Sequence, residues 1–355
     1  MKRIFLLAGA VFCTLIGIFV AQKLPADNTE LIEEKYDTWA GVIRIWVSES
    51  CGAGGWLEAC SGIIEKAHDG VYVNIQVLPD DTIAAYASSG VNPPDILIYN
   101  NGLIDDFSLL APIAAAYPLR SGIRQDTYAV PVLLRPRFWI YDQSAYGALP
   151  GDMGGVAAAC AKTDIIALTA LCTGLRPSEG IAAALPGLDL GLAGEAQVTP
   201  EPAGGVACRV ATDIITDAAP RRLYTDNSID AFVGGAEDAL RLDDCAATAT
   251  GDYAYASEVI MCSITDKDDG RAEICRAFLD TLMGDGQTLA ARAQAFPAVE
   301  SASAWEGNHI LASVEETLRG KIWLSGAYDE TPAYLYIEGK ISADEAVKRI
   351  IGGKK

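Results

Sequence analysis

The run Tyr128–Tyr146, YAVPVLLRPRFWIYDQSAY, constrains the fold of this 355-residue chain more than any other stretch. Val130, Val132, Leu133 and Leu134 are strand formers, and so are Phe138, Trp139, Ile140 and Tyr141. Pro131 and Pro136 interrupt them, and a proline cannot donate to a sheet ladder. The run is therefore expected to be extended without forming one central strand, as a path that leaves one globular unit and enters another. Arg135, Arg137 and Trp139 flank the second break. Charged and aromatic groups at a domain junction are where a ligand is first expected. A core strand carrying two snorkelling arginines is the alternative reading of the same residues.

Upstream, β and α patterns alternate. Val42–Val47 (VIRIWV) predicts a buried strand, and Ser48–Gly55 (SESCGAGG) a tight glycine-rich loop. Trp56–His68 has helical spacing, with Trp56, Leu57, Cys60, Ile63, Ile64 and Ala67 on one face. Val71–Leu78 and Asp95–Tyr99 predict strands, with a short helix over Thr82–Ser89 between them. This order predicts a mostly parallel sheet with covering helices. In such sheets ligands sit beyond the carboxyl ends of the strands, here Trp46–Gly55 and Tyr99–Gly102. CGAGG is neither a Walker loop nor G-x-G-x-x-G, so it serves as a turn or as exposed backbone.

Downstream, Tyr146–Cys160 predicts a Pro-Gly turn and then an alanine-rich helix, and Ala207–Ala218 a further helix. Asp164–Gly174 and Ser228–Gly235 fit helix or strand equally. Tyr253–Thr265 is extended and apolar, suited to a second crossing between lobes. Arg271–Met283 is amphipathic, and helical segments continue over Asp285–Ala295, Trp305–Arg319, Ala333–Glu338 and Ser342–Ile351. Ser342 and Glu345 have capping-box spacing.

Composition removes several function classes. A formal net charge of −20 argues against a nucleic-acid partner. The two histidines, His68 and His309, give little material for a metal site or a Ser/His triad. Nine cysteines without a C-x-x-C pair exclude a zinc ribbon and leave the redox state open. The acidic pairs Asp105-Asp106, Asp243-Asp244 and Asp268-Asp269 suit solvated turns better than a glycosidase site. At the N-terminus, Lys2 and Arg3 precede the apolar run Ile4–Ala21. That charge order predicts a signal peptide or uncleaved anchor over residues 1–22, with the remainder exported behind a polar spacer over residues 23–38.

In order and spacing, the segments after residue 38 resemble the extracellular solute-binding proteins of ABC importers, in particular the sugar-binding type. The motifs are Tyr128–Pro131 (YAVP), the aromatic strand Trp139–Gln143, the Leu-Pro of Leu149–Gly154, and Phe232–Ala239. Phe278-Leu279 with Leu282 and Gln287–Leu289, followed by Phe296-Pro297, complete the set. The resemblance implies an α/β, two-lobed periplasmic-binding-protein-like fold, each lobe a mostly parallel sheet with flanking helices. Residues 39–136 plus 258–300 would form the first lobe, and residues 137–257 plus 301–352 the second. It implies a monomeric, non-enzymatic binder of a small solute, a sugar or oligosaccharide foremost, that delivers its ligand to membrane permease subunits without a cofactor. Trp46, Glu49, Tyr99, Asn100, Arg137, Trp139, Tyr255 and Trp305 lie on the segments that would border the cleft. Gly151–Gly205 is poor in the aromatics a sugar binder stacks with, and two crossover arginines suit a carboxylate or phosphate. A tethered sensor or scaffold with the same fold, or a secreted hydrolase, are the alternative functions.

Overall fold

The structure is a computed structural model. It describes residues 40–89, 94–150, 155–173, 189–192, 207–210, 219–265, 271–325 and 331–352. The N-terminal apolar run and spacer lie outside the described residues, as do Gly151–Gly154 and most of 174–218. Residues from Gly41 onward form one compact unit. Among the described residues no helix is long and apolar enough to cross a membrane.

Three parallel strands open the unit: β1 (Gly41–Ser48), β2 (Val71–Leu78) and β3 (Ile96–Asn100). Between them run helices α1 (Gly54–Ala67) and α2 (Asp80–Ser89). β1 alternates as its sequence predicts, with Ile43, Ile45 and Val47 buried and Val42 and Arg44 exposed. α1 buries Trp56, Leu57, Cys60, Ser61 and Ile64 on one face. Its Trp56 indole donates to the Gly286 carbonyl at 2.7 Å, fixing the helix against a 3₁₀ segment over Asp285–Ala293.

β4 spans Val130–Tyr141 and corrects the first expectation. The proline-bearing run is one continuous, central strand. It pairs antiparallel with β10 (Tyr253–Ile264), the second crossing, and with the short β11 (Phe296–Pro297). Further along it pairs with β8 (Ala231–Gly234) and β9 (Ala246–Thr248). The prolines are accommodated by register breaks. Ser257 of β10 is the extra residue between Ala256, opposite Pro136, and Glu258, opposite Arg135, and Val132 of β4 is the extra residue beside Pro131. At each break a side chain donates to a carbonyl of β4. Ser257 Oγ donates to the Arg135 carbonyl at 3.2 Å, and Gln287 Nε2 to the Val132 carbonyl at 2.9 Å.

The second half returns to parallel pairing through β5 (Ala158–Cys160), β6 (Asp189–Leu192) and β7 (Ala207–Val210), beside β8. The full path is β2-β1-β3-β10-β4-β8-β5-β7-β6, with β12 (Ile322–Ser325) alongside β10. β5 and β7 correct the helical expectation at Ala158–Cys160 and Ala207–Val210, and residues 211–218 lie outside the described residues. Alanine favours helix intrinsically, but pairing on both sides of β5 outweighs that preference. The remaining helices are α3 (Ile165–Thr173), α4 (Ala219–Thr225), α5 (Ala236–Ala239), α6 (Ala272–Met283), α7 (His309–Leu318), α8 (Thr331–Ile337) and α9 (Ala343–Gly352). α6 buries the predicted face, Ile274, Cys275, Phe278, Leu279 and Leu282. Ahead of α9, Ser342 Oγ accepts from the Glu345 amide at 3.3 Å.

Two hydrophobic clusters fill the interior. The larger joins Leu97, Tyr99 and Leu134 to Phe138, Phe232, Trp305 and Leu311. The smaller gathers Trp139, Tyr141 and Tyr255 with Ile165, Leu168 and Leu171. Thus β4 sends Phe138 and Ile140 into one cluster and Trp139 and Tyr141 into the other, as side-chain alternation requires.

Candidate functional site

A cluster of polar groups lies where β1, β2 and β3 end. Ser48, the last residue of β1, donates its hydroxyl to Asp80 Oδ1 at the start of α2. Ser50 Oγ lies 2.9 Å from Ser48 Oγ, and the Ser50 amide donates to Asp80 Oδ1 at 3.3 Å. Asn100, the last residue of β3, donates from Nδ2 to Ser50 Oγ at 3.0 Å and accepts from the Cys51 thiol at 3.6 Å. Burial favours a neutral Asp80, yet the hydrogen bonds from Ser48 and Ser50 hold its carboxyl below the ordinary range. Gly52 closes the loop with φ +54°, a left-handed turn that glycine adopts without strain.

β4 forms the floor between this loop and the second half of the sheet. Arg135 Nη1 meets Glu258 Oε2 of β10 at 2.5 Å. Its Nη2 donates to the Cys51 carbonyl, and to the Ala293 carbonyl at 3.2 Å. Two residues on, Arg137 Nε donates to Asp164 Oδ1 at 2.9 Å, and its Nη1 to Glu237 Oε1 at 2.6 Å. Burial alone would lower the Arg137 pKa, but Asp164 and Glu237 outweigh it and hold the guanidinium above its usual range. Burial likewise opposes ionisation of Glu237, and Arg137 more than offsets it, so that carboxyl sits below the usual range. Next to it, burial and the Glu237 charge raise Asp238, which meets Arg221 Nη1 at 2.9 Å.

Of the residues singled out by sequence, Trp46, Glu49 and Asn100 lie at or beside the ends of β1 and β3, and Arg137 lies on β4 against Asp164 and Glu237. Trp46 is half-buried and Glu49 exposed. Tyr99, Trp139, Tyr255 and Trp305 are in the hydrophobic clusters instead. Tyr99 shares a 2.8 Å hydrogen bond with Ser263 Oγ, and burial pushes its hydroxyl up to about 12. Trp305 donates to the Ala295 carbonyl at 3.1 Å. Trp139 is fully buried, and its indole nitrogen has no hydrogen-bond partner. Arg137, expected to face a carboxylate or phosphate, is flanked by two carboxylates of the protein itself.

Ser48, Ser50, Asp80, Glu237 and Glu258 were not singled out. The two serines stand in the SESCGAGG loop and Asp80 follows β2, so their place beyond strand ends was readable. Nothing in the spacing announces Glu237 or Glu258, which approach β4 from 100 and 123 residues away. Tyr334 and Tyr336 of α8 also went unnoticed. Both are half-buried against the cluster of Trp139 and Tyr255, with Lys162 Nζ 3.7 Å above the Tyr334 ring.

This array of hydroxyl, amide and carboxylate groups suits the recognition of a polar solute better than bond-breaking. Burial pushes the Cys51 thiol up to about 12, which keeps it protonated and a poor nucleophile. Among the described residues no group of three or more His, Cys, Asp or Glu could hold a metal ion.

The described architecture is the mixed α/β fold of periplasmic-binding-protein-like structures. The GacH receptor of Streptomyces glaucescens, solved unliganded and with acarbose, matches with TM-score 0.58 at 14% identity, over 89% of this chain and 100% of that one. The sugar-binding protein MalE of Xanthomonas citri matches with TM-score 0.63 at 12% identity, over 88% and 96%. The cyclic α-maltosyl-1,6-maltose binding protein of Arthrobacter globiformis matches with TM-score 0.59 at 11% identity, over 87% and 97%. No protein-family model matches the chain, and no curated protein matches it by sequence.

Proposed function

We propose that this protein is the extracytoplasmic solute-binding component of an ABC importer and captures a sugar or oligosaccharide. The observation that carries the reading is a fold shared, over almost their whole length, with three proteins described as sugar-binding or solved with a sugar-like ligand. The polar edge beyond β1, β2 and β3 agrees with it. In this reading residues 39–136 plus 258–300 and residues 137–257 plus 301–352 are two lobes, joined by the crossing strands β4 and β10. Closure of the lobes around the solute is the signal passed to the permease subunits. Trp46 offers a ring face, and Glu49, Ser50, Asp80 and Asn100 offer donors and acceptors for hydroxyls. Tyr334 and Tyr336 supply the aromatic surface of the second lobe that Gly151–Gly205 lacks. Tyr99, Trp139, Tyr255 and Trp305 back the walls. The apolar run Ile4–Ala21 exports the chain as a signal peptide or holds it at the membrane as an anchor. The binder acts as a monomer and without catalysis.

A thermal-shift panel on residues 29–355 tests the reading, with mono- and oligosaccharides, amino acids, short peptides, and phosphate and carboxylate anions. A solute present at about a hundred times its dissociation constant adds roughly 2.7 kcal/mol. A rise in melting temperature confined to sugars is expected. A rise confined to anions or amino acids overturns the sugar assignment, and no rise with any small solute overturns the importer reading.

A further inference from the structure

We propose that Arg135 and Arg137 are paired positioning residues, one for each wall of the binding site, and that Gly52 and Gly235 are the seats that let them lie against the backbone. The two arginines are two positions apart in one strand, so their side chains leave the same face of β4. They then diverge. Arg135 reaches the loop after β1, where it holds the carbonyls of Ser50 and Cys51, and the end of the 3₁₀ segment at Ala293. Arg137 reaches the other half of the sheet, where it holds Asp164 ahead of α3 and Glu237 of α5. Each thus orders a segment remote in sequence from β4, on opposite sides of the strand's change of partners.

The glycines distinguish this arrangement from incidental ion pairing. A Cβ on Gly52 would lie 3.0 Å from Arg135 Nη2. At Gly235 the case is sharper. Its φ of −115° is open to any residue, so the backbone does not demand glycine there. What a side chain there would disturb is the ion pair: a Cβ would stand 2.5 Å from Arg137 Nη1 and 2.8 Å from Glu237 Oε1, so both side-chain ends would have to shift out of their present geometry. Glu237 feels Arg135 as well as Arg137, which joins the two clamps electrically. With Glu258 on one guanidinium and Asp164 and Glu237 on the other, neither arginine stands as an uncompensated charge awaiting an anionic solute. Their contribution to binding is preorganisation of the groups that do contact it.

The word "wall" rests on the solute-binding reading, but the test does not. Amide hydrogen exchange is measured on the full chain without ligand, comparing the native protein with Arg135→Met, Arg135→Lys, Arg137→Met and Gly235→Ala. Arg135→Met is expected to speed exchange at Ser50, Gly52 and Gln294 at least tenfold and to leave Gly235, Asp238 and Ala239 unchanged. Arg137→Met gives the reverse pattern, and Gly235→Ala reproduces it with the arginine still present. Arg135→Lys does not restore protection, because a single ammonium cannot span the carbonyls that the planar fork spans. Exchange that stays native at both segments, or that rises uniformly along the chain, overturns the proposal. Where a methionine variant fails to fold, Arg135→Lys and Gly235→Ala carry the same comparison. Maltotriose affinity is read separately by calorimetry. Loss of tenfold or more in the variants is expected, whereas a native protein blind to every sugar, with the local exchange response intact, defeats the sugar assignment and leaves the positioning roles standing.

Discussion

Gln287→Leu probes how the sheet accommodates a proline-bearing central strand. Gln287 is fully buried, and its amide serves four main-chain groups. Nε2 donates to the carbonyls of Val132 at 2.9 Å and Leu282 at 2.8 Å. Oε1 accepts from the amides of Ala298 at 2.8 Å and Val299 at 3.2 Å. Leucine has similar volume and supplies none of these bonds. A buried group left unsatisfied costs about 1–3 kcal/mol, so four cost at least about 4 kcal/mol. The extra apolar burial returns about 1–2 kcal/mol, leaving a net loss of roughly 3 kcal/mol. With a urea slope near 3 kcal/mol/M, the unfolding midpoint falls by about 1 M. The neighbouring exposed Thr288→Ala is the control and stays within about 0.5 kcal/mol. A Gln287→Leu loss below about 1 kcal/mol would refute the view that this side chain completes the break beside Pro131.

Two further outcomes follow from burial and charge. Trp139→Ala removes a fully buried indole and is expected to cost about 3–5 kcal/mol in urea unfolding, whereas Trp46→Ala, at a half-buried indole packed against the edge of the larger cluster, is expected to cost clearly less. Equal destabilisation by the two would contradict their placement. Glu237 has a folded pKa below its unfolded value near 4.3, so its stabilisation is present above about pH 4.3 and is lost as pH falls through the folded value. Glu237→Gln is therefore less stable than native at neutral pH, and the gap closes on acidification. A gap that stays constant from pH 7 to pH 3 would remove the Arg137 pairing as its source.

Where local pattern and tertiary demand agree, the sequence was a sufficient guide. β1, α1, β2, β3 and α6 stand where alternation or helical spacing placed them. β5 and β7 did not, because three or four residues between parallel neighbours owe their conformation to those neighbours and not to alanine. The site divides the same way. The position of Asn100 at the end of β3 was readable because strand ends are readable. Tyr99, Trp139, Tyr255 and Trp305 were on the expected segments, but alternation alone does not say which face of a central strand is covered. The carboxylates that meet Arg135 and Arg137 come from β10, α5 and the approach to α3, and no local pattern encodes contacts at that separation.

The prolines explain why one strand can serve two halves of a sheet. Pro136 stands between Arg135 and Arg137 and lacks an N–H, so β10 cannot keep an unbroken ladder past it. The break at Ser257 is where β4 begins to exchange partners: Arg137 is its last residue opposite β10, and Phe138 its first opposite β8. The strand that carries the extra residue, and so bends, is β10. Arg135 and Arg137 leave one face of β4 and diverge along their side chains, Arg135 to the loop after β1 and Arg137 to Asp164 and Glu237. The motif Arg-Pro-Arg in the middle of a hydrophobic run thus puts the register break between the two clamps. Replacing Pro136 by a residue with an N–H would restore the missing donor at the point where the ladder must yield, so the proline belongs to the site as much as to the sheet.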